Sequence, residues 1–131
     1  MTVSFRFTRG RLIARRVLLK HAYPAWPMMA IDTGARVSVV TPKVAQELGF
    51  DTGETEPTVN IIGATGKSGA ALLRVASAAI MGQEVRNLRV LCHPLPAELQ
   101  LDGILGLDFL RHFDIQIANS TEMLTLTRWR Q

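Results

Sequence analysis

One carboxylate stands out by its setting. Met29-Ala30-Ile31 is an apolar run that ends on Asp32, and Thr33-Gly34-Ala35 follows as a hydroxyl, a turn residue and a small residue. A buried strand that stops on an Asp and then turns sharply delivers one carboxylate to the floor of a cleft. The bland alternative is an Asp that only opens a turn, a common role for that residue. Asp-Thr-Gly by itself is a weak pattern. Its weight comes from company: about seventy residues later Ile104-Leu105-Gly106 offers an apolar-apolar-glycine segment able to pack beside the first strand. A glycine-tipped hairpin pattern lies between the two.

The surrounding elements read mostly as strands. Val3-Ser4-Phe5-Arg6-Phe7 alternates with the period of a half-buried strand. Arg9-Gly10-Arg11 marks a turn, and Leu12 to Lys20 reads as a basic strand that also fits a helical face. Pro24 and Pro27 impose an extended connector, Met28 to Ile31 is the strand leading to Asp32, and Val37-Ser38-Val39-Val40 is another. Thr41-Pro42 has the form of an N-cap and first helical residue, for a helix through Val44, Ala45 and Leu48 that stops at Gly49. Asp51 to Pro57 is an acidic loop. Thr58 to Ile62 and Ala70 to Ile80 form a hairpin tipped by Gly63-Ala64-Thr65-Gly66-Lys67. Gly82-Gln83 turns into a strand over Val85 to Leu91. A turn at Asp102-Gly103 enters a short apolar strand, Leu107 to His112 forms a short helix, and Ile115 to Ile117 and Met123 to Leu126 close the chain as strands. Short strands at close spacing predict an all-β domain or small barrel.

Composition narrows the class. A chain of 131 residues, 47% hydrophobic and 20% charged, fits one domain with a real core. No run approaches the roughly 18 apolar residues of a membrane helix, and the start lacks a secretory signal pattern. The single Cys92 rules out an internal disulfide framework and suits a reducing compartment, so a cytoplasmic location is expected. The net charge of +4 owes much to Arg6, Arg9, Arg11, Arg15, Arg16 and Lys20. Such a segment attracts nucleic acid in some proteins, but here it lacks interleaved aromatics and reads better as charges that protect a sheet edge. Gly66-Lys67-Ser68 is no phosphate loop, because that motif would need a glycine where Ile61 stands. His21, His93, His112 and Cys92 have no metal-ligand spacing.

The chain resembles the retropepsin-like aspartic proteases in three pieces. They are Ile31-Asp32-Thr33-Gly34-Ala35, the flap-like hairpin around Gly63 to Gly69, and Asp102-Gly103-Ile104-Leu105-Gly106-Leu107-Asp108-Phe109-Leu110. Their order and spacing match from about Met28 to Leu126, while residues 1–27 match weakly. The resemblance implies a retropepsin-like acid protease barrel with one or two short helices. It would occupy 1–131 as a single domain and form half of a two-fold symmetric dimer. Hydrolysis by this route uses two carboxylates that share a proton, one acting as base on water and the other as acid. This sequence holds one Asp-Thr-Gly, so the resemblance implies a homodimer with Asp32 from each subunit.

The same resemblance implies the supporting roles. Thr33 would hydrogen-bond across the axis, and Gly34 and Ala35 would admit the substrate backbone. Val37, Ile62, Ile104 and Leu105 would line apolar subsites, with Gly63 and Ala64 in the flap and Gly106 beside the cleft. Asp102 is the internal rival for second carboxylate, although Asp-Gly is a common turn. Arg36 stands where many relatives have an acid, so an inverted ion pair with Asp108 is expected. Leu124, Leu126 and Trp129 would interleave with a second subunit, and Trp26 and Trp129 would serve as core or interface anchors. Peptide or protein is the expected substrate, with no metal or organic cofactor, no nucleic acid and no membrane segment. Two other readings stay open: a catalytically silent peptide-binding or dimerisation module of the same fold, and a nucleic-acid-binding β-barrel.

Overall fold

The computed structural model describes the backbone of residues 1–50, 56–63 and 66–130, and the side chains of 1–50 and 70–130. Most of the expected acidic loop, and Ala64 with Thr65 at the hairpin tip, lie outside the described residues. In chain order the elements are β1 (Thr2–Arg6), β2 (Ala14–Arg16), β3 (Leu18–Lys20), β4 (Pro24–Ala25), β5 (Met28–Ile31), β6 (Ser38–Val40), α1 (Pro42–Glu47), β7 (Glu56–Gly63), β8 (Gly66–Ile80), β9 (Gln83–Cys92), β10 (Gly103–Leu105), α2 (Leu107–Leu110), β11 (Phe113–Ala118) and β12 (Met123–Arg128).

The large sheet runs β2-β5-β10-β6-β9-β8-β3-β4, with β7 added to β8. Its two ends are consecutive in sequence. β2 pairs with β5 at one end, β3 pairs with β8 near the other, and only Val17 separates them. The sheet must therefore curl until its ends meet. Val17 sits at that corner, fully buried, with its N–H donated to the Pro27 carbonyl at 3.1 Å. What reads as one basic strand from Leu12 to Lys20 is thus two short strands serving opposite ends of one curled sheet.

Strand β10 decides where the site lies. It enters between β5 and β6, parallel to β5 (Leu105 beside Ile31) and antiparallel to β6 (Ile104 beside Val39). The segment from Asp32 to Val37 must then pass over the end of β10 to connect two strands that are not neighbours. Asp102-Gly103, expected to be a turn, already enters this ladder: Gly103 pairs with Met29 and Val40.

Helix α1 forms where expected, yet Thr41 makes no side-chain cap bond. The helix is held instead by its apolar face, with Val44, Ala45 and Leu48 buried. Helix α2 is a single turn that buries Phe109 and Leu110, and the Phe109 ring stacks on Phe113 with centroids 5.2 Å apart. The second, smaller sheet is β1-β12-β11, all antiparallel. Here the sequence reading needs correction. Leu124 and Leu126 are fully buried on β12, which has a strand of its own chain on each side, so both pack into the core of their own chain. Trp26 and Trp129 are 58% and 44% exposed and anchor no core.

Phe109 joins the large sheet to the small one through Phe113, so Phe109→Ala should cost about 3–5 kcal/mol of folding stability. Chemical denaturation measures this; a loss near zero would mean that α2 can detach without consequence.

Candidate active site

The strand β5 is held on both flanks up to its last residue. Ile31 donates its N–H to the Ile13 carbonyl at 2.8 Å, and Asp32 donates its own to the Leu105 carbonyl at 2.9 Å. The backbone of Asp32 is therefore fixed by the inserted strand. Its side chain is fixed by the turn that follows: Gly34 N–H donates to Asp32 Oδ1 at 2.8 Å, and Ala35 N–H reaches the Asp32 carbonyl at 3.3 Å. A Cβ on residue 34 would lie 3.1 Å from Oδ1, tight against the oxygen the turn must receive. Glycine leaves room for the carboxylate to fold back on its own turn without a shift of Oδ1. Asp32 is half-buried, while Thr33 and Gly34 are exposed. The result is a half-buried carboxylate oriented by a backbone N–H, with acceptor capacity to spare.

The turn rests on the start of α2. Leu107 N–H donates to the Ala35 carbonyl at 2.8 Å, and Asp108 N–H to the Arg36 carbonyl at 3.2 Å. Gly106 lies beneath, where a Cβ would come within 2.6 Å of the Ala35 oxygen. No side chain fits between the turn and its support, so Gly106 belongs to this close packing rather than to a substrate-facing wall.

Ser38 and Asp108 lock the assembly. Ser38 Oγ donates to Asp108 Oδ1 at 2.6 Å and accepts from Gly106 N–H at 2.9 Å, and Ser38 N–H donates to Asp108 Oδ2 at 2.9 Å. Phe109 N–H adds a bond to Asp108 Oδ1 at 2.9 Å. Three of these hydrogen bonds tie β6, the end of β10 and α2 together behind Asp32. The expected Arg36–Asp108 ion pair is replaced by this network. The Asp108 carboxylate turns to Ser38, and Arg36, exposed, meets Asp108 through its backbone carbonyl. Ser38 is the residue sequence reasoning passed over. The available signal was a hydroxyl flanked by Val37, Val39 and Val40, where burial demands a polar partner.

Asp102, the rival second carboxylate, is occupied elsewhere. Its Oδ2 accepts from Met28 N–H at 3.0 Å and lies 3.8 Å from Arg16. Its backbone donates to the Met28 carbonyl and accepts from Thr41 N–H. Asp102 clamps the entry of β5 to that of β10, at the opposite end of those strands from Asp32.

The expected subsite residues separate by strand alternation. Val37 and Ile104 are half-buried at the cleft side, whereas Leu105 is fully buried and packs into the core. In the β7–β8 hairpin, Ile62 pairs with Lys67 and Gly63 with Gly66. Pairing of β8 with β9 begins only at Ala71, so the hairpin's outer part is a two-stranded arm projecting beyond the sheet. A groove of about 570 Å³ opens beside Val37, bordered by Leu72, Leu91, Arg111 and His112. Burial, aided by Arg111 and Arg128, holds the His112 imidazole below its usual pKa.

Ser38→Ala removes a donor from a half-buried carboxylate and an acceptor from a buried N–H, and should cost about 2–3 kcal/mol. Arg36→Ala should shift stability by less than about 0.5 kcal/mol. Equal losses in urea unfolding of the two variants would contradict the network described above.

The geometry has known counterparts. A structure titled as a retropepsin-like aspartic protease from Rickettsia conorii matches with a TM-score of 0.76 at 24% identity, over 96% of this chain and 89% of that one. The EIAV protease, solved with the inhibitor HBY-793, matches with a TM-score of 0.61 at 21% identity, over 82% of this chain and 92% of that one. The fold is therefore that of the retropepsins. No curated protein matches the sequence. The family model described as gag-polyprotein putative aspartyl protease matches residues 27–112, from the entry into β5 to the end of the α2 support. With more than half of its length in that match, the chain belongs to this aspartyl protease family.

Proposed function

We propose that two copies of the chain form an aspartic endopeptidase, each contributing Asp32. The observation that carries this reading is how Asp32, Asp102 and Asp108 are engaged. Asp32 is presented outward by a single backbone N–H, whereas Asp102 and Asp108 are committed to backbone and hydroxyl donors. Of these three, Asp32 alone is left available, and general acid–base attack on a peptide needs two carboxylates. A two-fold axis beside the turn supplies the second by symmetry.

In the pair, each Gly34 N–H holds one oxygen of its own Asp32 in place. The free oxygens face each other and compete for a proton, because like charges at close range push their ionisations apart. The ionised Asp32 takes a proton from a bound water as it attacks the peptide carbonyl. The protonated Asp32 donates to the carbonyl oxygen, and the proton then passes to the leaving nitrogen. Thr33, exposed at the turn, is placed to bond across the axis. Val37 and Ile104 contribute apolar contact to substrate side chains, and the β7–β8 arm covers the cleft as a flap that excludes water.

Cleavage of a mixed peptide library should be bell-shaped in pH, since one carboxylate must be charged and the other neutral. Asp32→Asn should lower kcat/KM by at least about 10²–10⁴-fold across that range without altering the unfolding midpoint. Wild-type rates from the Asn variant would end the assignment.

A further inference from the structure

Beyond Val37 the apolar surface gives way to positive charge. We infer that the groove of about 570 Å³ between α2 and the outer face of the β8–β9 pair is a distal subsite for an acidic side chain of the substrate peptide. This rests on the protease reading above and adds a substrate class to it: peptides carrying Asp or Glu away from the scissile bond.

Strand alternation sets the floor of the groove. Leu73 and Val90 are fully buried, so their neighbours Leu72 and Leu91 stand on the opposite face, in register with each other and half-buried. Farther along that face Arg74 and Arg89 stand in register, both exposed. Helix α2 packs against β9 and brings Arg111, its C-terminal cap, to the rim. Val37, five residues after Asp32, borders the same groove and joins it to the turn. A peptide that rests on Val37 therefore meets an apolar floor rimmed by guanidinium groups.

The charge of the groove has one sign to offer. Among the described residues that line it, Asp108 is the one acid, against Arg89 and Arg111. Asp108 is already held from inside: Oδ1 accepts from Ser38 Oγ and Phe109 N–H, and Oδ2 from Ser38 N–H. Burial first, then Arg111 and Arg128, hold the His112 imidazole below its usual pKa, so it adds no charge at neutral pH. Like charges facing across two strands, as Arg74 and Arg89 do, disfavour the pairing, and an anion between them removes that cost. The guanidinium fork matches a carboxylate in two-point geometry, and a groove of one sign over an apolar floor concentrates the opposite charge. The other basic groove, beside Arg15, Arg16 and Lys20, includes no described residue of the Asp32 turn, β10 or α2 and so has no such link to the cleft.

The test uses the full chain and peptides that differ only by Glu against Gln, with the pair moved stepwise away from the cut. At the position that reaches the groove, wild type should cleave the Glu peptide about tenfold more efficiently. The gain should lie in KM rather than kcat, because a distal contact holds ground and transition states alike. Arg111→Glu and Arg89→Glu should each reduce this preference, and together turn it toward a Lys peptide, without lowering the unfolding midpoint. Lys43→Glu makes the same charge change on α1, outside the groove, and should leave the preference as in wild type. Raising ionic strength to about 1 M should shrink the preference by screening. The same peptides titrated against Asp32→Asn read binding without cleavage. Equal KM and equal affinity for Glu and Gln peptides at every position, a preference that survives the double Arg variant, or one lost equally in Lys43→Glu would overturn the inference. Cleavage without any Glu preference would remove the groove alone. Tighter binding of the Glu peptide, lost in the Arg variants, by a protein that cuts neither peptide would keep the groove and remove the protease reading.

Discussion

The insertion of β10 between β5 and β6 governs this molecule. Two strands adjacent in sequence are held apart by a third that arrives some seventy residues later, and the connection between them has to arch over its end. That arch is the Asp32 turn. Its height is set by the approach of Gly106 to the Ala35 carbonyl, and its position by the bond from Asp32 N–H to Leu105. A surface loop of that length would ordinarily sample many conformations. Here it inherits the rigidity of a three-strand ladder, which a catalytic group needs for pre-organisation.

Behind the arch, a buried polar cluster carries what apolar packing cannot. Ser38 is fully buried, and its hydroxyl acts as donor and acceptor at once, so a serine, a carboxylate and a glycine N–H satisfy one another. Networks of this kind are stabilising only when complete. The alternative, an Arg36–Asp108 ion pair at the surface, would have been weak and screened. Directing the carboxylate inward makes it part of the scaffold and leaves Asp32, held by the Gly34 N–H, as the less committed acid near the turn.

Much of this was legible in the sequence, and the failures have physical causes. β5 and the Asp32 turn follow from an apolar run ending on a carboxylate. The helix at Pro42 follows from proline at its start and the spacing of Val44, Ala45 and Leu48. The segment from Leu12 to Lys20 misled because a strand that breaks at Val17 to serve both ends of a curled sheet has no local signature. Asp102-Gly103 misled because a close-packed strand and a tight turn favour the same small residue. Leu105 as a subsite residue rests on the resemblance and on hydrophobicity, neither of which says which face of the strand looks inward, whereas alternation with Ile104 does. The terminal strands could not be placed at all, since pairing across about 120 residues, such as Thr2 with Thr127, leaves no periodic trace.

That last pairing separates two events often fused in small symmetric proteins. With β1, β12 and β11 closed within one chain, the subunit completes its terminal sheet without help from another molecule. Folding is then a unimolecular equilibrium and association a bimolecular one. Chemistry that needs two turns follows the square of subunit concentration in the dilute limit, while the folded fraction stays constant. Under the proposed shared dyad, dilution would be a reversible off-switch that leaves every chain intact, and local crowding of chains the on-switch.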